Sequence, residues 1–106
     1  MADQLGAPFL PIHGHSVVRA PAIERLASQG VVFDAAYANS PLCAPARFTM
    51  MTGQRNSRIG AYDNALELPA SVPTFAHHLR ALGYRTALAG KMHFVGPDQL
   101  HGYGRR

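Results

Sequence analysis

The fold is indicated most clearly by residues 73–93, which read PTFAHHLRALGYRTALAGKMH. Residues 73–82 repeat apolar side chains at helical spacing, Ser71 can cap such a helix, and Gly83 can end it. Residues 84–89 favour a strand, and a polar segment follows at residues 90–93. This order is typical of α/β proteins with a mostly parallel sheet, in which ligands bind at the carboxyl ends of the strands.

Two further helices and one strand are predicted earlier in the chain. Pro21 suits the first position of a helix that ends at Gly30, and residues 31–33 (VVF) then favour a short strand. A second helix is predicted from Pro45 to Gly53. Loops are expected over residues 1–20 and 54–70, where Pro, Gly and polar residues show no period.

Composition bounds the class of protein. The chain has 106 residues, enough for one modest domain, and only 15% of them are charged. A small independent domain usually has a more charged surface, so we expect further protein to cover part of this one. The net charge is +4, but the arginines are scattered rather than clustered. This pattern argues against nucleic-acid binding and suits a small anionic substrate better.

The same sequence gives an expectation for location. A single cysteine allows no internal disulfide and fits a reducing compartment. The first residues show no secretory signal, and no apolar run approaches the ~20 residues that cross a membrane. We therefore expect a cytoplasmic protein without a membrane span.

Cys43 is the first candidate for chemistry. It precedes a helix that Pro45 leads, so the positive end of the helix dipole can stabilise an anion near its side chain. Arg47 can add a second positive charge on the first turn. A reactive thiolate, an anion-binding corner and a buried, inert cysteine are all compatible with this spacing.

Lys91 and His93 form the second candidate pair. Directly after a strand, in extended backbone, they point to the same side and could hold an anion and exchange a proton. Taken alone, a solvated lysine and an incidental histidine are the simpler interpretation. Asp3 alone is a weak metal signal. Adjacent histidines on a helix cannot chelate one metal well, so His77 and His78 are interpreted as structural or surface residues.

The motifs together resemble the sulfatase family. Residues 43–47 (CAPAR), followed by Thr52 and Gly53, resemble its C-x-P-x-R signature, and residues 90–93 (GKMH) resemble its second motif. Residues 1–5 (MADQL) resemble the end of its first strand, where metal-binding acids lie. The order matches that of the family. Three longer stretches are similar to its choline-sulfatase branch, at residues 40–47, 62–65 and 91–102.

The resemblance implies a fold and a function. Residues 1–106 would be the N-terminal part of an alkaline-phosphatase-like catalytic domain, with a mostly parallel sheet flanked by helices, and incomplete. The implied activity is hydrolysis of a sulfate ester, choline sulfate in particular. The alternatives are another sulfate ester, a phosphonate or phosphate monoester, or a non-catalytic product of a truncated gene. The chain alone is expected to be inactive, and the full-length family can form oligomers.

The resemblance also implies a role for each site residue. A formylglycine-generating enzyme would oxidise Cys43, and the hydrated aldehyde would attack sulfur. Arg47 would hold the hydrate, Lys91 would bind a sulfate oxygen, and His93 would orient the hydrate or transfer a proton. Asp3 would ligate a divalent cation, calcium in particular, together with the Cys43 hydrate. Asn64 is a weaker candidate at the edge of the site.

Overall fold

The protein folds into short helices joined by loops. The computed structural model describes residues 1–106, which divide into two compact units, Met1–Tyr37 and Ala38–Arg106. The single β-contact is a parallel bridge between Ala87 and Arg105. The longest helix has ten residues, and none of the helices has the length and apolar character to span a bilayer.

The first unit contains one α-helix and two single-turn 3-10 helices. The 3-10 helices are Ala7–Phe9 and Pro11–His13, and α1 is Pro21–Ser28. Pro21 takes the first position of α1, where its missing N–H is tolerated because the first N–H groups of a helix have no partner within it. The helix predicted from Pro21 is confirmed.

The strand predicted at residues 31–33 is not formed. Val31 is 79% exposed and Phe33 is 73% exposed, and none of the residues Met1–Tyr37 is buried. A strand is stable only when its backbone groups pair with a neighbour. The apolar side chains give this segment strand propensity, but this unit offers it no partner.

The second unit contains three α-helices around one small core. They are α2 (Cys43–Thr52), α3 (Asn56–Ile59) and α4 (Phe75–Ala81). Helix α3 lies in a stretch predicted as loop, because four residues are too few to show a hydrophobic period. The buried apolar side chains are Ala44, Phe48, Met51, Ala61, Leu68, Ala76, Met92, Phe94 and Tyr103.

Helix α4 confirms the helix predicted at residues 73–82, with a different cap. Thr74, rather than Ser71, is the N-cap residue, and its backbone N–H donates to Nδ1 of His77 at 3.1 Å. This hydrogen bond satisfies a backbone group at the helix start. The structural interpretation of His77 is therefore confirmed.

The strand predicted at residues 84–89 forms only in part. Gly104 N–H donates to the carbonyl of Thr86, and Leu88 N–H donates to the carbonyl of Arg105, each at 3.0 Å. These two bonds flank the parallel bridge at Ala87 and pair one edge of the segment only. The pairing is parallel, as predicted, but the expected sheet is absent because no third segment lies alongside.

Candidate active site

Cys43 lies at the start of α2. It is the first helical residue, half-buried, and its thiol is not in a disulfide. The prediction began this helix at Pro45, but it begins two residues earlier, at Cys43. Pro45 is tolerated in the first turn because it lacks only an N–H that would have no partner within the helix. The expectation that Cys43 lies at a helix N-terminus is therefore confirmed, and the helix dipole favours an anion there.

Arg47 lies one turn after Cys43 and links α2 to the second motif. Residues four apart share a face of a helix, and the side chain of Arg47 is only 4% exposed. Its Nη1 donates a hydrogen bond to the backbone carbonyl of Lys91 and lies 3.9 Å from Sδ of Met92. The cysteine motif and the Lys-x-His motif, separate in sequence, are thus in contact.

The segment at residues 90–93 is not extended as predicted. Gly90 has φ of +98° and His93 has φ of +62°, which lies in the left-handed region. The two-residue alternation expected for Lys91 and His93 therefore does not apply. Lys91 is exposed and His93 is half-buried.

His93 carries an unsatisfied ring nitrogen. Its Nδ1 is buried and has no hydrogen-bond partner. Buried polar atoms in folded proteins are nearly always paired, so an unpaired one is a candidate for contact with a ligand. The catalytic role of His93 stays a prediction, and its unpaired ring nitrogen was not visible in the sequence.

Asn64 caps the helix that carries Cys43. Its Oδ1 accepts the backbone N–H of Ala44 at 2.9 Å, and Ser40 Oγ accepts the N–H of Leu42 at 3.1 Å. Both bonds fix the chain on either side of the cysteine. The structure places Asn64 beside Cys43, whereas the sequence suggested only the edge of the site. No local pattern predicts a cap supplied from 20 positions away.

Asp3 belongs to the first unit and is exposed. Its assignment as a metal ligand stays a prediction. Residues 1–106 contain no group of three or more His, Cys, Asp or Glu side chains that could hold a metal ion. Calcium takes about six to eight oxygen ligands, so the donors in this chain do not complete a calcium site by themselves.

The chain is similar in sequence to known sulfatases. The sulfatase family model matches residues 1–104. A choline-sulfatase of Rhizobium meliloti (strain 1021) is 53% identical over all of this chain and 21% of its own length. Arylsulfatase A of Bos taurus is 37% identical over 98% of this chain and 23% of its own length. The chain therefore spans about a fifth of the length of the curated relatives it matches.

A solved structure is also similar. It is that of a Bacteroides thetaiotaomicron VPI-5482 protein assigned as a sulfatase, with a TM-score of 0.78 and 27% identity. The match covers 93% of this chain and 22% of that one. It supports the predicted sulfatase-type fold, although the expected parallel sheet is represented by the bridge between Ala87 and Arg105 alone. The chain belongs to the sulfatase family.

Proposed function

We propose that this chain is part of a sulfuric ester hydrolase that acts through a formylglycine formed at Cys43. The observation that carries the proposal is the hydrogen bond from Arg47 to the carbonyl of Lys91, which joins the two candidate motifs beside Cys43. Choline sulfate is the proposed substrate, because a choline-sulfatase shares 53% of the residues.

The candidate site residues have separate proposed roles in nucleophilic attack, binding and proton transfer. A hydrated formylglycine supplies a hydroxyl that attacks sulfur and releases the alcohol, and its second hydroxyl then expels sulfate as the aldehyde re-forms. Arg47 orients the residue at position 43 from one turn further along α2. The exposed amine of Lys91 binds a sulfate oxygen, and the unpaired Nδ1 of His93 exchanges a proton in the site.

We also propose that Asp3 and the residue at position 43 would be ligands of a divalent cation. Calcium would stabilise negative charge that develops on the sulfate. Residues 1–106 do not complete a cation site by themselves. The 106-residue chain alone is therefore proposed to be inactive. The cytoplasmic location expected from the sequence also stays a prediction.

The modification of Cys43 can be tested on this chain directly. We expect co-expression with a formylglycine-generating enzyme to convert the Cys43 peptide to an aldehyde, measured by peptide mass spectrometry and hydrazide labelling. Expression without the enzyme is the control, and C43A supplies a peptide that cannot react. A Cys43 peptide that alkylates fully as a thiol after co-expression would remove the formylglycine from the proposal.

The substrate is tested on the whole protein that carries this sequence. We expect sulfate release from choline sulfate with calcium present, and none from the C43A variant. An aryl sulfate and a phosphonate monoester, assayed in parallel, test the alternative substrates. Faster turnover of either one would replace choline sulfate as the substrate while keeping the same nucleophile.

A further inference from the structure

His101 is a buried histidine with no assigned role. It is fully buried, and neither ring nitrogen has a hydrogen-bond partner. Asp98 Oδ2 lies 3.4 Å from its Nδ1, without hydrogen-bond geometry. Burial of an unpaired imidazole is unfavourable, so filling space in the core is a poor explanation for a histidine at this position.

Aromatic contacts connect the ring of His101 to residues that adjoin both motifs of the site. Its centroid lies 4.4 Å from that of Phe94, the residue after His93. Phe94 in turn stacks on Phe48 of α2, with centroids 6.4 Å apart and planes within 15°. Phe48 follows Arg47 directly. One ring therefore separates His101 from the elements that carry the candidate active site.

The backbone of His101 is fixed on both sides. Its N–H donates to Oδ1 of Asp98 at 3.0 Å, and its carbonyl accepts the hydroxyl of Thr74 at 2.7 Å. Its φ of +40° lies in the left-handed region, which few residues other than glycine adopt. Because the backbone is held, displacement of the ring would be passed on to Phe94.

We propose that His101 is a positioning residue, whose ring packs on Phe94 and thereby holds residues 91–93 against α2. The inference rests on the proposed function only in treating residues 91–93 as catalytic. The titratable groups that face the ring are Asp98 on its own turn, His77 on α4 and Glu67. Burial lowers the pKa of His101, with Asp98 opposing this effect in part. A proton on the ring would introduce a charge beside Phe94 and loosen the contact.

Two substitutions distinguish the effect of the His101 ring from the effect of its left-handed backbone conformation. H101F keeps a flat ring that cannot take a proton, whereas H101N suits the left-handed backbone and removes the ring. Histidine-labelled NMR spectra of the 106-residue chain report on His93. We expect its ring resonance to stay in place in H101F and to move in H101N. A purely conformational role for His101 predicts the opposite order, and the exposed His78, changed to Gln, is the matched control.

A pH titration of the unchanged chain gives a second readout. We expect the His93 resonance to show, besides any change that comes from its own ring, an inflection that coincides with the titration of His101 and that disappears in H101F. In the whole protein, H101N should lower kcat by roughly tenfold or more, since small displacements of catalytic groups are costly. A His93 resonance that does not respond to protonation of His101 overturns the proposal. Because this titration uses the unchanged chain, it tests the proposal even if H101N does not fold. If no sulfate ester is hydrolysed while the NMR coupling is present, the proposed function fails and the positioning contact stands.

Discussion

The guanidinium of Arg47 donates to the backbone carbonyl of Lys91 across 44 positions of sequence. The side chain of Arg47 is 4% exposed, and a guanidinium cannot be buried without partners at an acceptable free energy. The bond therefore ties the first turns of α2 to the segment that carries Lys91 and His93. Loss of the Arg47 side chain should therefore affect stability and site geometry together.

Replacement of Arg47 by alanine is expected to destabilise the chain. The variant loses a hydrogen bond from a charged donor and leaves a carbonyl without its partner, which together should lower the free energy of unfolding by about 2–3 kcal/mol. R47K should recover only part of this loss, because an ammonium cannot reproduce the planar fork of a guanidinium. Urea unfolding followed by circular dichroism measures both values.

Arg58 supplies the matched control for Arg47. It lies on α3 and its side chain is exposed, so R58A should change the free energy of unfolding by less than about 0.5 kcal/mol. Equal unfolding midpoints for R47A and R58A would contradict the structural role assigned to Arg47.

Asn64 is expected to stabilise the start of α2 through its Oδ1. N64A removes the acceptor for the N–H of Ala44, and loss of a helix cap typically costs about 1 kcal/mol. N64D keeps an acceptor and adds a negative charge that the helix dipole favours, so it should be at least as stable as the unchanged chain. Thermal unfolding compares the variants, with N39A as a control, since Asn39 contributes its backbone carbonyl to the Asn56 side chain.

The same pair of variants separates stability from sulfate binding in the whole protein. The new carboxylate of N64D would lie beside Cys43 and repel the sulfate group of the substrate, so KM should rise although the fold is intact. A KM unchanged in N64D would show that Asn64 caps the helix without lying near the bound sulfate.

The sequence predicted the helices better than the contacts between them. Helices α1 and α4 are where periodicity and stop signals placed them, because an α-helix satisfies its backbone groups within one segment. The strands at residues 31–33 and 84–89 depend on partner strands, which propensity does not supply. Cys43 was placed correctly at a helix N-terminus, although the helix begins before Pro45.

The contacts of the site arise from residues far apart in sequence. Arg47 with Lys91, and Asn64 with Ala44, are pairs that no short window can reveal. The unpaired nitrogens of His93 and His101 depend on burial, which only the folded chain determines. The motif resemblance brought Cys43, Arg47, Lys91 and His93 together as candidates but gave no geometry.

Gly102 is expected to be intolerant of any side chain. Its φ is +94°, and a Cβ at this position would lie 2.6 Å from the backbone nitrogen of His77. Because that neighbour is backbone in α4, it cannot rotate away, and G102A should lose more than the ~1–2 kcal/mol of left-handed strain alone. G53A is the matched control, since Gly53 has φ of +66° and open space around it. Equal losses in the two variants, measured by urea unfolding, would show that the contact with α4 adds nothing.

His101 is expected to make stability depend on pH in a defined window. Burial holds its pKa below the ordinary value of 6.5, so the unfolded chain binds a proton at a higher pH than the folded chain. Stability from this group is complete above about pH 6.5 and falls as the pH drops toward the lower pKa of the folded state. The N–H groups of His101 and Leu100 lower the pKa of Asp98 below 3.8, which adds a second loss under more acidic conditions. H101F should abolish the first loss and retain the second, as measured by urea unfolding across both windows, and an unchanged first slope in H101F would assign the effect to another group.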